Sequence, residues 1–342
     1  MLYPHLYKHK YRNFTYLEKV KSVYDEFKLL YRACVWDKIE NENLRRIFGK
    51  DAVPVEELKN HVDMLFLNAH HIIGNNRPVP PNVIYLGAGL HLQPVKELPK
   101  DLKAYLDGSK TGVVYVSLGT NVLTSNMDQD LLDAFLNAFA ALPYDILWKL
   151  DPNNIPPERI SKNVKIDKWF PQRDMLMHPN IKAFVTQGGM QSTDEAIDAQ
   201  VPLVGIPMLA DQWYNTDKYV QLGIGVQMDS FTMNADDLIN GIKEAFDNPT
   251  FKNNLKKLTE VMYDSKETPI EKAAWWSEYV IRHGGAKHLK SPGANMSYYE
   301  YFMIDFFLTI AAIVFAAFVL TAIALCYTLK KFIGDKKKIK KN

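Results

Sequence analysis

The stretch that decides the fold runs WFPQRDMLMHPNIKAFVTQGGMQSTDEAIDAQVPLVGIPMLADQ, from Trp169 to Gln212. Inside it the unbroken apolar run KAFVTQGG (182–189) ends in two glycines and gives way to a helical pattern over 192–199. A second run, PLVGIP (202–207), gives way to another helical pattern over 212–222. Short, continuously apolar runs alternating with helices predict parallel strands covered on both faces. The same rhythm extends outward on both sides. GVVYVSLGT (112–120), DILWKL (145–150), NVKIDKWF (163–170) and GIGVQMD (223–229) read as further strands. Helical periodicity marks 128–142, 235–246, 251–264 and 269–283. The expected fold class is α/β, a doubly wound parallel sheet, whose ligands sit at the carboxyl ends of the strands.

Those strand ends carry the candidate chemistry. In TQGGMQSTDEAI (186–197) Gly188 and Gly189 would let backbone approach a ligand closely, and Ser192-x-x-Glu195 reads as a capping box opening a helix. A helix N-terminus with free N–H groups can hold phosphate without a lysine. An ordinary βα turn uses the same residues, so the turn gains meaning from its neighbours. WFPQ (169–172) adds an aromatic face and an amide, Asp211 and Gln212 pair an acid with an amide suited to vicinal hydroxyls, and SLGT (117–120) adds another glycine turn.

Toward the N-terminus, 14–50 reads as a helix, with Leu17, Val20, Val23, Phe27 and Leu30 at three- and four-residue spacing. MLFLNAH (64–70) and VIYLGAG (83–89) look strand-like, and the polar, Pro-containing 93–111 reads as a connector. The expected division is 1–92 as part of one domain, 93–111 as connector and 112–290 as the ligand-binding Rossmann-like domain. Residues 291–305 are then a juxtamembrane segment, 306–329 a transmembrane helix and 330–342 a Lys-rich tail.

FFLTIAAIVFAAFVLTAIALCYTL (306–329) has no charged residue. At about 1.5 Å per residue it reaches roughly 36 Å, enough for a hydrocarbon core of about 30 Å. Tyrosines at 298, 299, 301 and 327 flank it as an interfacial belt. Of 41 Lys+Arg and 39 Asp+Glu, seven lysines and one aspartate follow Leu329, so the body is mildly acidic, near −4, and the basicity belongs to the tail. That excludes a basic nucleic-acid-binding body. By the positive-inside rule the tail is cytosolic and the body lies across the membrane. Sequons at Asn13 and Asn295 agree with a lumenal body, and KIKKN at the end resembles a dilysine retrieval signal of the endoplasmic reticulum. Met1–His5 opens no apolar signal region, so an N-terminally truncated chain is expected. Two cysteines, Cys34 and Cys326, exclude a disulfide framework and a Cys-based metal site.

The run from Trp169 to Gln212 closely resembles the nucleotide-sugar signature of the membrane-bound UDP-glycosyltransferases. The resemblance continues through NPTFKNNLKKLTEVMYDS and RHGGAKHL to the membrane span, covering roughly residues 60–342. It implies a GT-B architecture, with the C-terminal donor domain complete and the N-terminal acceptor domain partial. By position, Trp169 would stack on uracil, Gln172 would meet base or ribose, and Glu195 would take the ribose hydroxyls. Ser117, Gly119, Gln187, Gly188, Gly189 and Gln191 would surround the diphosphate, and Asp211 and Gln212 would hold the sugar. Lys149 stands where relatives often have Arg. No metal and no prosthetic group are implied; UDP-glucose is the co-substrate.

Gln187 departs from the His common at that position. Gln donates but stays neutral, whereas His can carry charge. With QSTDEAID it makes the chain similar to insect members and insect-virus enzymes, which favours glucose over glucuronate. The implied reaction is inverting transfer of glucose to a hydroxyl of a small lipophilic acceptor, serving detoxification or hormone conjugation. The family's general-base His and its Asp fall outside the matching region, and none of the nine histidines is assigned that role. Two readings follow: part of a UDP-glucosyltransferase, or a non-catalytic, membrane-anchored protein that binds UDP-sugar or pairs with related transferases as a homo- or hetero-oligomer.

Overall fold

The computed structural model describes residues 8, 10–120 and 127–339. His5 and His9, Lys340 of the retrieval motif and the last two residues lie outside that set.

A long helix, α1 (Tyr16–Phe48), opens the described chain, followed by α2 (Val55–Asn60). Thr15 and Glu18 form the capping box that starts α1: the Glu18 N–H donates to Thr15 Oγ1 at 3.3 Å, and the Thr15 N–H to the Glu18 carboxylate at 2.7 Å. Its expected apolar stripe is present but exposed, with Leu17 and Phe27 at 77% and 67%. Two short parallel strands, β1 (Leu65–Leu67) and β2 (Val83–Tyr85), pair next, Phe66 opposite Ile84.

The segment expected as a connector is partly helical. Helix α3 (Lys100–Gly108) occupies half of it, because Leu102 and Leu106 fall on one face and bury at 5% and 0%. Pro94 and Pro99 lie before the helix, and Pro99 is its N-cap.

Then come β3 (Val113–Ser117), α4 (Gln129–Ala141), β4 (Asp145–Lys149), β5 (Val164–Asp167), α5 (Gln172–Leu176), β6 (Ile181–Thr186), α6 (Met190–Asp198), β7 (Leu203–Gly205), α7 (Gln212–Leu222) and β8 (Gly225–Gln227). Helices α8 (Ala235–Asp247), α9 (Pro249–Tyr263) and α10 (Pro269–Arg282) follow. The six strands lie in the order β5-β4-β3-β6-β7-β8, all parallel. Counted along the domain this is 3-2-1-4-5-6, the Rossmann order, with its reversal between β3 and β6.

The central strands are apolar on both sides because each side meets helices. Tyr115, Leu147, Phe184 and Leu203 pack against residues of α3, α5, α6 and α9, including Leu106, Met175, Ile197 and Leu255. The alternate residues Val114, Val116, Trp148 and Val185 pack against Phe135 and Phe139 of α4 and Leu238 and Ile242 of α8. Trp148 is fully buried, its ring edge-on to Phe139 with centroids 5.1 Å apart.

By contact clustering, residues 286–342 form a separate unit. It holds α11 (Tyr298–Tyr301) and α12 (Ile304–Ile339). Residues 304–331 of α12 are long and apolar enough to cross a membrane.

One polar side chain ties the end of α4 to the sheet. Asn163 Nδ2 donates to the carbonyls of Phe139, Leu142 and Tyr144 at 2.9, 3.2 and 2.9 Å. Asn163→Ala strands those carbonyls, and the expected loss of about 1–3 kcal/mol is read from denaturant unfolding in detergent. An unchanged midpoint would show that water replaces the amide without cost.

Candidate functional site

The reversal of strand order brings two glycine turns side by side. Ser117, the last residue of β3, is in register with Thr186, the last of β6. The chains beyond them must diverge, since successive connections run to opposite faces, and the crevice opens between them. Gly119 (φ +78°) turns the first chain and Gly188 (φ +90°) the second, both conformations that favour glycine. A Cβ on Gly188 would meet Thr216 Cγ2 at 2.5 Å. Gly189 differs: its φ is −63° and a Cβ there would meet no protein atom closer than 3.8 Å.

Gln187 reaches across the two turns. It is buried at 7%, and a Cβ on Gly119 would fall 2.2 Å from its Nε2. Its Oε1 has no hydrogen-bond partner among the described residues. Rotating the amide end for end would present NH2 instead, the group an anion selects. Ser117 is buried, its Oγ accepting the Gly119 N–H at 3.4 Å.

The capping box expected at Ser192 and Glu195 does not form. Helix α6 begins at Met190 with Gly189 as N-cap and no side-chain cap. Both side chains are engaged instead by Gln172 at the start of α5. Its Nε2 donates to Glu195 Oε2 at 2.6 Å and to Ser192 Oγ at 3.0 Å, while its Oε1 accepts the Tyr115 hydroxyl at 3.2 Å. Gln172 therefore spends its amide on protein partners, and Glu195 is what it orients. Burial pushes the Tyr115 hydroxyl far above its usual range, so it stays a donor. Gln191, one turn earlier, is exposed.

Trp169 follows β5 and is 66% exposed, its ring covered on one side by Lys149 Nζ at 4.2 Å. Burial lowers the pKa of Lys149. On the other flank, Asp211 is the N-cap of α7, though its side chain makes no cap bond. Gln212 is buried, with Oε1 accepting the N–H groups of Met208 and Leu209, both at 2.9 Å. Only its NH2 end is left for a ligand.

Two residues the sequence reading passed over complete the arrangement. Asn215 Nδ2 donates to Gly188 O at 2.9 Å and to Asp211 Oδ2 at 3.0 Å, locking the glycine turn to the acid. Tyr115 sits mid-strand, where an apolar run gives no hint of a working hydroxyl. The i, i+4 spacing of Asp211 and Asn215 on α7 was the available signal. Elsewhere, His70 and His71 line a cavity of about 330 Å³ with Tyr85 and Lys272. Burial, with His71 and Lys272 nearby, lowers the pKa of His70.

The chain is 39% identical over 322 residues to the ecdysteroid UDP-glucosyltransferase of Spodoptera littoralis nuclear polyhedrosis virus, covering 92% of this chain and 62% of that protein. It is 33% identical over 332 residues to UDP-glucuronosyltransferase 2B15 of Rattus norvegicus, covering 95% of this chain and 61% of that protein. The chain thus spans about three fifths of the length of these relatives. Among solved structures, the glycotransferase of kitacinnamycin shares the fold, with a TM-score of 0.58 at 21% identity over 77% of this chain and 66% of that one. Residues 2–339 match the family described as UDP-glucoronosyl and UDP-glucosyl transferase, and the chain belongs to that family.

Proposed function

We propose that this chain supplies the UDP-sugar-binding part of a UDP-glucosyltransferase that moves glucose, with inversion, onto a hydroxyl of a small lipophilic acceptor in detoxification or hormone conjugation. The observation that carries the reading is the register of Ser117 with Thr186, which sets two glycine turns against one crevice beside a carboxylate already oriented by Gln172.

In this reading the diphosphate lies at the N-terminus of α6, a nine-residue helix whose first N–H groups are free to meet anionic oxygens. Ser117, Gly119, Gln187, Gly188, Gly189 and Gln191 surround it. Glu195 accepts the ribose hydroxyls, and uracil stacks on the Trp169 face that Lys149 leaves open. Asp211 and the Gln212 amide take the glucose hydroxyls. In transfer, the acceptor oxygen bonds to the anomeric carbon as the bond to the UDP oxygen breaks, and UDP leaves. The base that removes the acceptor proton is assigned to no histidine of this chain.

Glucose rather than glucuronate is favoured by charge. The proposed sugar and ribose contacts, Asp211, Gln212 and Glu195, are neutral or acidic, and a sugar carboxylate beside them would lose hydration without gaining a cation. We further assign α12 as the anchor in the endoplasmic reticulum membrane, with the tail cytosolic. The body is then lumenal, and the exposed Asn13 and Asn295 are glycan acceptors.

Calorimetric titration of the chain in detergent with UDP, UDP-glucose and UDP-glucuronate tests the assignment. Binding with glucose preferred is expected; a folded chain that binds none of the three would favour the non-catalytic partner reading. Trp169→Ala is expected to weaken UDP by about 1–3 kcal/mol, the range of base stacking on aromatic rings, and unchanged affinity would remove Trp169 from the site. Asp211→Asn is expected to leave UDP affinity unchanged while lowering affinity for UDP-glucose; equal loss of both would move Asp211 from the sugar to the nucleotide.

A further inference from the structure

Helix α6 carries the glycine turn and Glu195, and part of what holds its first turn comes from outside the six-stranded sheet. After β2 the chain bends through Gly87 and Gly89, at φ +109° and +80°, and sets His91 beside α6. His91 Nε2 lies 3.2 Å from the Gln191 carbonyl oxygen. A carbonyl only accepts, so that nitrogen carries a proton. The other ring nitrogen, Nδ1, faces Asp194 Oδ2 at 3.9 Å. The Asp194 side chain is 2% exposed and that of His91 18%. Neither Nδ1 nor Oδ2 has a hydrogen-bond partner among the described residues.

With Nε2 protonated, a neutral imidazole offers only a lone pair at Nδ1, and an ionised Asp194 offers only lone pairs. Two buried acceptors would then oppose each other, each costing the desolvation of an unmet group. One added proton resolves the conflict from either side, letting the pair close from 3.9 Å to hydrogen-bond distance with a carboxylic acid donating to Nδ1 or an imidazolium donating to the carboxylate. We propose that His91 and Asp194 share one buried proton, and that this proton holds the first turn of α6 in place, making His91 a positioning residue for the donor helix. The consequence for a ligand rests on the donor-site reading above; the shared proton does not.

The groups that face the pair agree. Glu195 lies next in α6 and Tyr219 approaches from α7, its hydroxyl 2.6 Å from Thr193 Oγ1. Tyr263 approaches from the end of α9. Arg173 of α5 pairs with Asp198 through Nη2 at 2.5 Å, while its buried Nε and Nη1 have no hydrogen-bond partner among the described residues. Burial pushes the Asp194 carboxyl up to about 7; the Gly89 N–H opposes the rise and Glu195 adds to it. A carboxyl raised in the folded state contributes stability that is complete below the ordinary carboxylate range and is lost as pH rises through about 7.

Hydrogen exchange of α6 amides in the ligand-free chain, expressed as protection factors at pH 5.5 and 8.5, tests this. The parent is expected to lose about tenfold protection over Thr193–Asp198, the amides bonded within the helix, at the higher pH, the factor that one pKa unit represents. Asp194→Asn, which donates to Nδ1 at any pH, is expected to stay protected at both. His91→Ala is expected to be poorly protected at both, and should it not fold, the near-isosteric Asp194→Asn decides alone. A parent with no fall, the same fall in Asp194→Asn, or parent-like protection in His91→Ala would each overturn the proposal. Calorimetry with UDP at the two pH values separates the readings: parent affinity is expected to weaken with the loss of protection, whereas the α6 pattern without UDP binding at either pH would remove the donor site and keep the shared proton.

Discussion

The constraint on which the rest depends is the parallel pairing of β3 with β6, Ser117 opposite Thr186. Strand order reverses there, so the segments leaving the two strands part to opposite faces and cannot fill the space between them. Several of the candidate residues stand around that one pairing. The glycine turns follow the two strands, α6 follows the second turn, Gln172 reaches in from the side of β3, and Asn215 clamps the turn from α7. The chemistry is distributed over five connections, but its geometry descends from one pair of strands.

Much of this was legible in the chain before any coordinates. Strands buried on both faces need apolar residues at consecutive positions, and VVYV, DILW and KAFV have them. The helices 212–222 and 269–283 showed themselves by period, and α7 matches Gln212–Leu222. The strand ends could also be read as ligand-facing, because glycine pairs there have a steric use. Reading failed where a side chain has two possible partners. Ser192 and Glu195 have capping-box spacing, but spacing says nothing about a competing amide arriving from twenty residues upstream. The helix inside the connector went unread for a similar reason: its prolines are visible, whereas the core surface awaiting Leu102 and Leu106 is not. His91 and Asp194 lie a hundred residues apart, and neither belongs to a pattern that points to the other.

The chain also divides by what its apolar surface meets. In the six-stranded sheet, both faces find helices. In α1, a stripe of the same periodicity stays open to solvent. Periodicity reports that a helix has an apolar side; it carries no information on what covers it. The helix was readable from 14–50 and its surroundings were not.

Gln172 has a consequence for the thermodynamics of occupancy. A glutamate on a helix surface ordinarily samples several rotamers, and a ligand that selects one must meet the entropy of that selection, on the order of 0.5–1.5 kcal/mol for such a side chain. Here Glu195 is held at 2.6 Å by an amide itself fixed on the Tyr115 hydroxyl. The ordering is completed during folding, so in the proposed reading a diol meeting that carboxylate would find it immobile, and its association would be charged with little loss of protein freedom.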